Sequence, residues 1–327
     1  MSRTAVIIPT YNEEAHIGPL LEQLLAQPKE VAAEILVADG RSTDATRAIV
    51  DAIASKDARV RLVDNPARRQ SAGINLAAAT TGIDIETLIR IDAHSEYPAD
   101  YIPRLLAAFE ETGADSVVVR LDTVGRTCLQ RAIAAVSNSR IGTGGSAHRV
   151  GGFSGFVDHG HHAAFRRKMF ERAGGYDPSF IANEDAELDF RIRKIGGRIW
   201  LAGDIEVTYF PRRTLSALFK QYFRYGAGRA RNFLKHGERL RPRQLVTPAL
   251  VAGIAVSLLA SFAWPWALLL PAAYLAALAG FAVLLAASRF SACMLLAAPA
   301  LAAMHIAWGT GFLTHLLFRR TAKRNGV

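Results

Sequence analysis

Five short stretches combine residue types that could do chemistry. Val37-Ala38-Asp39-Gly40-Arg41-Ser42-Thr43-Asp44 ends an apolar run on an acid followed by glycine. A carboxylate there can accept hydrogen bonds from a nucleobase or ribose edge. Ser42, Thr43 and Asp44 equally suit the start of a helix, where they would cap free N–H groups. Ligand contact is the preferred reading for Asp39, and capping for Asp44. In Asp92-Ala93-His94-Ser95-Glu96 an extended chain would project residues 92, 94 and 96 to one side. Such a set suits a divalent ion that neutralises a leaving diphosphate; a solvated loop turning at Pro98 fits the spacing equally well. Asn183-Glu184-Asp185 heads a helical pattern. Kept ionised by the helix N-terminus, an acid there could be the base for an acceptor hydroxyl. Taken alone, the three residues read more simply as ordinary N-terminal helix charge. In Gln221-Tyr222-Phe223-Arg224-Tyr225 the guanidinium could grip a phosphate bidentately, or be a lipid-facing or solvated charge. His159-Gly160-His161-His162 lacks the spacing of a helical metal pair. It fits part of an acceptor or diphosphate pocket and a polar loop alike.

Positioning these groups requires a scaffold, and the pattern supplies one. Ala5–Ile8, Glu34–Ala38, Val60–Val63, Thr87–Ile91 and Ser116–Leu121 are short apolar, β-branched runs that predict buried strands. Between them, Glu14–Gln27, Thr43–Lys56, Arg69–Thr80 and Ala99–Thr112 predict helices. The alternation predicts an open, mostly parallel α/β sheet, with ligands along the edge where the strands end. The glycine-rich stretch 124–160 predicts mobile loops or a lid. Ala186–Ile195 predicts a helix, and Arg198–Ala202 and Glu206–Tyr209 two strands.

Composition divides the chain. All 29 acidic residues precede Leu245. Beyond it the sequence is apolar, long enough over Val246–Ala287 for two membrane spans and over Ser291–Phe318 for another, at about 20 residues each. Three spans would put the Arg319–Arg324 cluster on the far side, against the positive-inside rule; two spans and an interfacial piece would keep it inside. Between Arg212 and Arg243 ten Lys/Arg face one acid, Glu238, within a net charge of +10. Leu215, Leu218, Phe219 and Tyr222 make this an amphipathic basic helix suited to a membrane interface, lipid headgroups or a diphosphate. A nucleic-acid partner is not expected, since no nucleic-acid motif appears and the basic block abuts apolar sequence. Met1–Thr4 leads straight into Ala5–Ile8, too short for a signal-peptide core, so a cytoplasmic location is expected for the soluble part. Cys128 and Cys293 are expected to be plain small apolar residues.

Taken together these motifs resemble the family 2 glycosyltransferases, over roughly Ala5 to Arg231. Val6-Ile7-Ile8-Pro9-Thr10-Tyr11-Asn12-Glu13-Glu14 is similar to the family's opening strand and loop. Asp39, Gly40, Ser42, Asp44 and Thr46 resemble its first nucleotide-binding motif, Asp92 its Asp-x-Asp motif, Glu184-Asp185 its Glu-Asp pair, and Gln221 with Arg224 its Gln-x-x-Arg-Trp motif. His94 stands where the second metal Asp is usual, and Tyr225 where Trp is usual. Arg90-Ile91-Asp92-Ala93-His94 and Ala163-Ala164-Phe165-Arg166-Arg167 look similar to succinoglycan-type exopolysaccharide glucosyltransferases.

The resemblance implies a GT-A fold, a Rossmann-like and mostly parallel sheet flanked by helices, with a C-terminal transmembrane helical segment. It implies a cytoplasmic catalytic domain over 1–211, an interfacial basic helix region over 212–244, and two or three membrane helices over 245–327. The implied reaction is inverting transfer of a hexose, glucose by this likeness, from a UDP-sugar to a lipid-linked oligosaccharide on polyprenyl diphosphate at the inner membrane. Pro9, Thr10, Tyr11, Glu13 and Asp39 would bind the nucleotide. Asp92 and His94 would hold Mg2+ or Mn2+ on the diphosphate, Arg224 would steady it, and Asp185 would be the base. A polyprenyl-phosphate sugar synthase is the nearest rival. A nucleotide-dependent oxidoreductase is disfavoured because no Gly-x-Gly-x-x-Gly follows the first strand.

Overall fold

The structure, a computed structural model, describes residues 3–324, without the side chains of residues 162–163 and 319–324. The side chains of the Arg319–Arg324 cluster therefore lie outside the described residues. By packing the chain divides into two compact units, Met1–Asp122 with Gly151–Tyr209, and Thr123–Val150 with Phe210–Val327.

The first unit is built on an eight-stranded sheet. Its strands are β1 (Arg3–Thr10), β2 (Glu34–Asp39), β3 (Val60–Asp64), β4 (Ile85–Arg90), β5 (Ser116–Thr123), β6 (Gly155–Phe156), β7 (His161–Arg166) and β8 (Ile199–Tyr209). Their order is β3-β2-β1-β4-β7-β5-β8-β6. β1 to β4 pair in parallel through helical crossovers, as the sequence predicts. Ala5–Ile8 and Ile35–Ala38 are buried throughout, as parallel strands covered on both faces must be. Ile17, Leu20, Leu21 and Leu24 of the helix Ile17–Leu25 pack on that face, each burial worth roughly 1.5–3 kcal/mol.

Three features depart from the expected elements. β7 lies in the middle of the sheet, antiparallel to both β4 and β5, although it begins directly after the stretch read as loops and was not expected as a strand. The two strands expected over 198–209 are one, β8. Within 124–160, Cys128–Ser137 is a helix rather than a lid; Thr127 and Gln130 close a capping box at its start. Its buried Ile133 and Val136 belong to the core of the second unit, with Leu218, Leu278, Leu301 and Met304.

The second unit contains the basic helix Leu215–His236, capped by Thr214 and ended at Gly237 with φ +65°. Three further helical segments, Pro242–Ala260, Pro265–Ser288 and Ala292–Phe318, are each long and apolar enough to cross a membrane. The first two are 11% buried and the third 39%, because the last packs along the basic helix. There a Cβ at Gly226 would meet the Trp308 carbonyl, and one at Gly311 the Phe223 carbonyl. Glycine permits that backbone approach. The cysteines are not the separate apolar residues expected. Cys128 and Cys293 are disulfide-bonded, with Cα atoms 5.1 Å apart. The fold brings the helix Cys128–Ser137 against the turn Ala292–Leu296, within the reach a disulfide needs.

Candidate active site

The ends of β1 and β2 lie side by side, with Thr10 opposite Asp39. Asp39 is 0% exposed. Its carboxylate accepts from the Ser42 hydroxyl at 2.5 Å, the Ser42 N–H at 3.0 Å, Arg47 at 2.9 Å and Thr10 Oγ1 at 3.5 Å. Arg47 also reaches Asp64 at 3.2 Å, and Asp64 takes Arg41 at 3.2 Å. The loops following β1 and β2 are stitched together. Asn12, at φ +55°, donates its N–H to Ser42 Oγ and accepts from the Thr43 N–H, both at 2.8 Å. The Glu13 N–H donates to Thr46 Oγ1 at 2.8 Å. Asp44 accepts from the N–H groups of Thr46 and Glu14, at 3.0 and 3.2 Å. It thus serves the first turn of the helix Thr46–Ala54. Pro9 and Thr10 form the floor of this corner, and Tyr11 is half-exposed at its mouth.

Asp92, just past β4, has different company. Its Oδ1 accepts from Gln70 Nε2 at 2.9 Å and Arg90 Nε at 3.1 Å. Burial pushes its carboxyl up, but the Arg90 guanidinium and His161 outweigh that and hold it down to about 2. Residues 92, 94 and 96 do not share one side, because the chain turns at 93–94 and Glu96 bridges to Thr208. His94 Nδ1 lies 3.0 Å from Glu13 Oε1. Among the described residues no group of three or more His, Cys, Asp or Glu is arranged to hold a metal ion.

Asp185 opens the helix Glu184–Lys194, behind Asn183 at φ +59°. Its Oδ1 accepts from Arg90 Nη1 at 2.6 Å and from the Tyr176 hydroxyl at 3.0 Å. His161 stands between the two acids, Nε2 3.8 Å from Asp92 Oδ2 and Nδ1 3.8 Å from Asp185 Oδ2. Glu184 is pushed up to about 7, first by burial and then by the Asp185 charge, against Arg90. The frame is fixed from behind. Asp189, on the same helix, accepts from the Gly160 N–H at 3.2 Å, just before β7. Asn75 holds Tyr176 by its N–H and carbonyl, at 2.9 and 2.8 Å.

The fold thus joins Asp92 and Asp185 through Arg90, and gathers Pro9, Thr10, Tyr11, Glu13 and Asp39 at the β1/β2 corner. Arg224 is exposed on the helix Leu215–His236 of the second unit. Arg90 and Tyr176 were not singled out as site residues from the sequence, and His161 only as one of a cluster. A signal for Arg90 was present: a lone charge closing the apolar run Thr87–Ile91 must be buried and therefore paired.

Comparison with known proteins agrees with this geometry. Residues 5–174 match the family model "Glycosyl transferase family 2". The chain is 46% identical over 317 residues to the succinoglycan biosynthesis protein ExoA of Rhizobium meliloti, covering 96% of each. It is 27% identical, over 70% of this chain and 73% of the other, to the dolichyl N-acetyl-alpha-D-glucosaminyl phosphate 3-beta-D-2,3-diacetamido-2,3-dideoxy-beta-D-glucuronosyltransferase of Methanococcus voltae. In fold it is similar to the mannosyltransferase PcManGT from Pyrobaculum calidifontis, solved with GDP-Man and Mn2+. That likeness has a TM-score of 0.60 and 24% identity, over 97% of this chain and 88% of the other. The chain belongs to glycosyl transferase family 2, and is a glycosyltransferase of GT-A fold.

Proposed function

We propose that the enzyme transfers a hexose, glucose as the sugar of choice, from a UDP-sugar to a lipid-linked oligosaccharide in exopolysaccharide biosynthesis, with inversion at the anomeric carbon. The observation that carries the reading is the joining of Asp92 and Asp185 through one guanidinium. It supports assigning Asp92 to the leaving-group side and Asp185 to the acceptor side, two neighbouring carboxylates such as a single displacement can use. The 46% identity to ExoA supports the exopolysaccharide context. The acceptor in the name of the Methanococcus relative, a dolichyl sugar phosphate, supports a lipid-linked acceptor.

The donor's nucleotide would lie at the β1/β2 corner, against Pro9, Thr10, Tyr11 and Glu13. Asp39 acts there from beneath, by fixing Ser42 of the following loop and Arg47 of the helix Thr46–Ala54. A divalent ion fits the site only with the donor's help. Asp92 offers a single carboxylate, with Oδ2 3.4 Å from Arg90 Nη2, and His94 sits on Glu13. One or two carboxylates completed by substrate phosphates is a usual arrangement for Mg2+, and PcManGT, of the same fold, was solved with Mn2+. Bound there, Mg2+ or Mn2+ would neutralise charge on the departing diphosphate. Asp185 removes the proton of the acceptor hydroxyl, which attacks the anomeric carbon opposite the diphosphate. Arg224 would steady the diphosphate, the role the family's Gln-x-x-Arg-Trp motif implies.

The basic helix Leu215–His236 and the apolar helices hold the protein at the inner membrane, catalytic side to the cytoplasm, where a polyprenyl diphosphate acceptor is confined. The test is a screen of labelled nucleotide sugars on membranes containing the protein, scored by label in extractable lipid. Label from UDP-glucose that depends on Asp185 is the expected result. Incorporation only into polyprenyl monophosphate would replace this acceptor, and label from another donor would replace glucose.

A further inference from the structure

β4 ends on a charge that the reaction described so far does not use. The Arg90 side chain is 4% exposed, and a guanidinium is always charged and can only donate. It meets two carboxylates at once, Asp92 Oδ1 through Nε at 3.1 Å and Asp185 Oδ1 through Nη1 at 2.6 Å. Asp92 is a near neighbour in sequence, whereas Asp185 lies 95 residues away. Tyr176 donates to the same Asp185 oxygen at 3.0 Å. Oδ1 of Asp185 therefore carries two donors, while Oδ2 is turned towards His161.

We infer that Arg90 is a positioning residue, setting the spacing between the diphosphate-side and acceptor-side carboxylates and the orientation of the Asp185 carboxylate. This rests on Asp185 being the base. In that step the acceptor O–H bond breaks and its proton passes to the Asp185 carboxylate. The acceptor oxygen bonds to the anomeric carbon, and the bond from that carbon to the diphosphate oxygen breaks, its electron pair leaving with the diphosphate. Arg90 acts through the two acids and not on the substrate. Its planar fork can address two acceptors in fixed directions, which the point charge of lysine cannot. This residue also separates the site from an arrangement of two unpaired acids. One cation spans both carboxylates before any donor arrives.

The test compares Arg90→Lys, Tyr176→Phe and Asp185→Asn in the full-length protein in membranes. Labelled UDP-glucose, or the donor that scores in the screen above, is the probe, with lipid extract of the cell of origin as acceptor. UDP binding counts the folded sites. Arg90→Lys keeps the charge and loses the fork. Its kcat per UDP-binding site should fall about 100-fold, the scale of a 1 Å misplacement. Its donor KM should stay within about 3-fold, the signature of an interaction that matters in the transition state. Tyr176→Phe, which alters no charge, should lower kcat by roughly 5- to 10-fold at constant donor KM. A purely structural role would reduce the number of UDP-binding sites and leave kcat per site unchanged; that result in Arg90→Lys overturns the inference. If Arg90→Lys does not accumulate, Tyr176→Phe decides, and unchanged kcat there overturns it equally. Transfer by Asp185→Asn at the wild-type rate would remove the base on which the proposal stands. An inactive Asp185→Asn beside a fully active Arg90→Lys removes the positioning role alone.

Discussion

Two corners of the sheet edge use the same device to different ends. At one, Arg47 links Asp39 to Asp64; at the other, Arg90 links Asp92 to Asp185. Arg47 is 38% exposed and Arg90 4%. Arg47 follows Asp39 by eight residues, so its bridge is largely local and braces the loops after β1 and β2. Arg90 reaches an acid 95 residues on, and its bridge sets the distance between two chemical roles. The Arg47 guanidinium is partly screened by solvent and contributes less by its charge, although its partner Asp39 is buried; Arg90 is itself buried between two acids, and such a bridge is costly to break from either side. Exposure, more than the identity of the pair, separates a brace from a working part.

The sharpest way to break this comparison is at the acid that each arginine holds. Asp185→Asn should lower transfer by about 1,000-fold, within the range for losing a general base, while UDP binding by calorimetry stays near wild type. Transfer that survives would put the second corner on a par with the first as mere bracing. Removing the arginines tests the energetic contrast. Arg90→Met should destabilise the protein by roughly 3–5 kcal/mol, the cost of stranding buried charge; Arg47→Met should lower the Tm of the detergent-solubilised protein by less, because it strands one buried acid, Asp39, which keeps its bonds from Ser42. Equal shifts would erase the distinction drawn from exposure. Asp39→Ala should weaken UDP binding about tenfold, on the scale of a lost charge-assisted hydrogen bond, through the loosened Ser42 loop. An unaltered UDP affinity would show that the brace does not serve the nucleotide.

The smallest effect concerns Glu184, neighbour of the base. Its folded-state value of about 7 lies above the ordinary 4.5, so the folded protein holds this proton more tightly than the unfolded chain. The associated stability is fully present below the unfolded value and is lost as pH rises through about 7. Glu184→Gln should flatten the fall in Tm between about pH 5 and pH 8 and leave most transfer intact. A fall in Tm as steep as in wild type would assign that pH dependence to other groups.

What the sequence determined by itself was local in origin. Strand and helix alternation from Ala5 to Leu121 follows from side-chain periodicity, which depends only on near neighbours. That periodicity places Asp39 and Asp92 at strand ends, and the apolar composition after Leu245 declares long membrane-compatible helices. The turn at 93–94, which breaks the extended chain between Asp92 and Glu96, was not legible, since an extended chain and a loop share that spacing. Nor was β7, whose place between β4 and β5 depends on hydrogen bonds to strands far away in sequence. That insertion brings His161 to both acids. The Cys128–Cys293 bond spans 165 residues, and no count of cysteines reports that two helical segments meet. Arg90 shows the division within one residue. A charge ending a buried strand had to find a carboxylate, because burying it unpaired is prohibitive. That it would find two, and which oxygen of Asp185 it would occupy, was decided only when the fold brought the start of the helix Glu184–Lys194 within hydrogen-bond reach of Arg90.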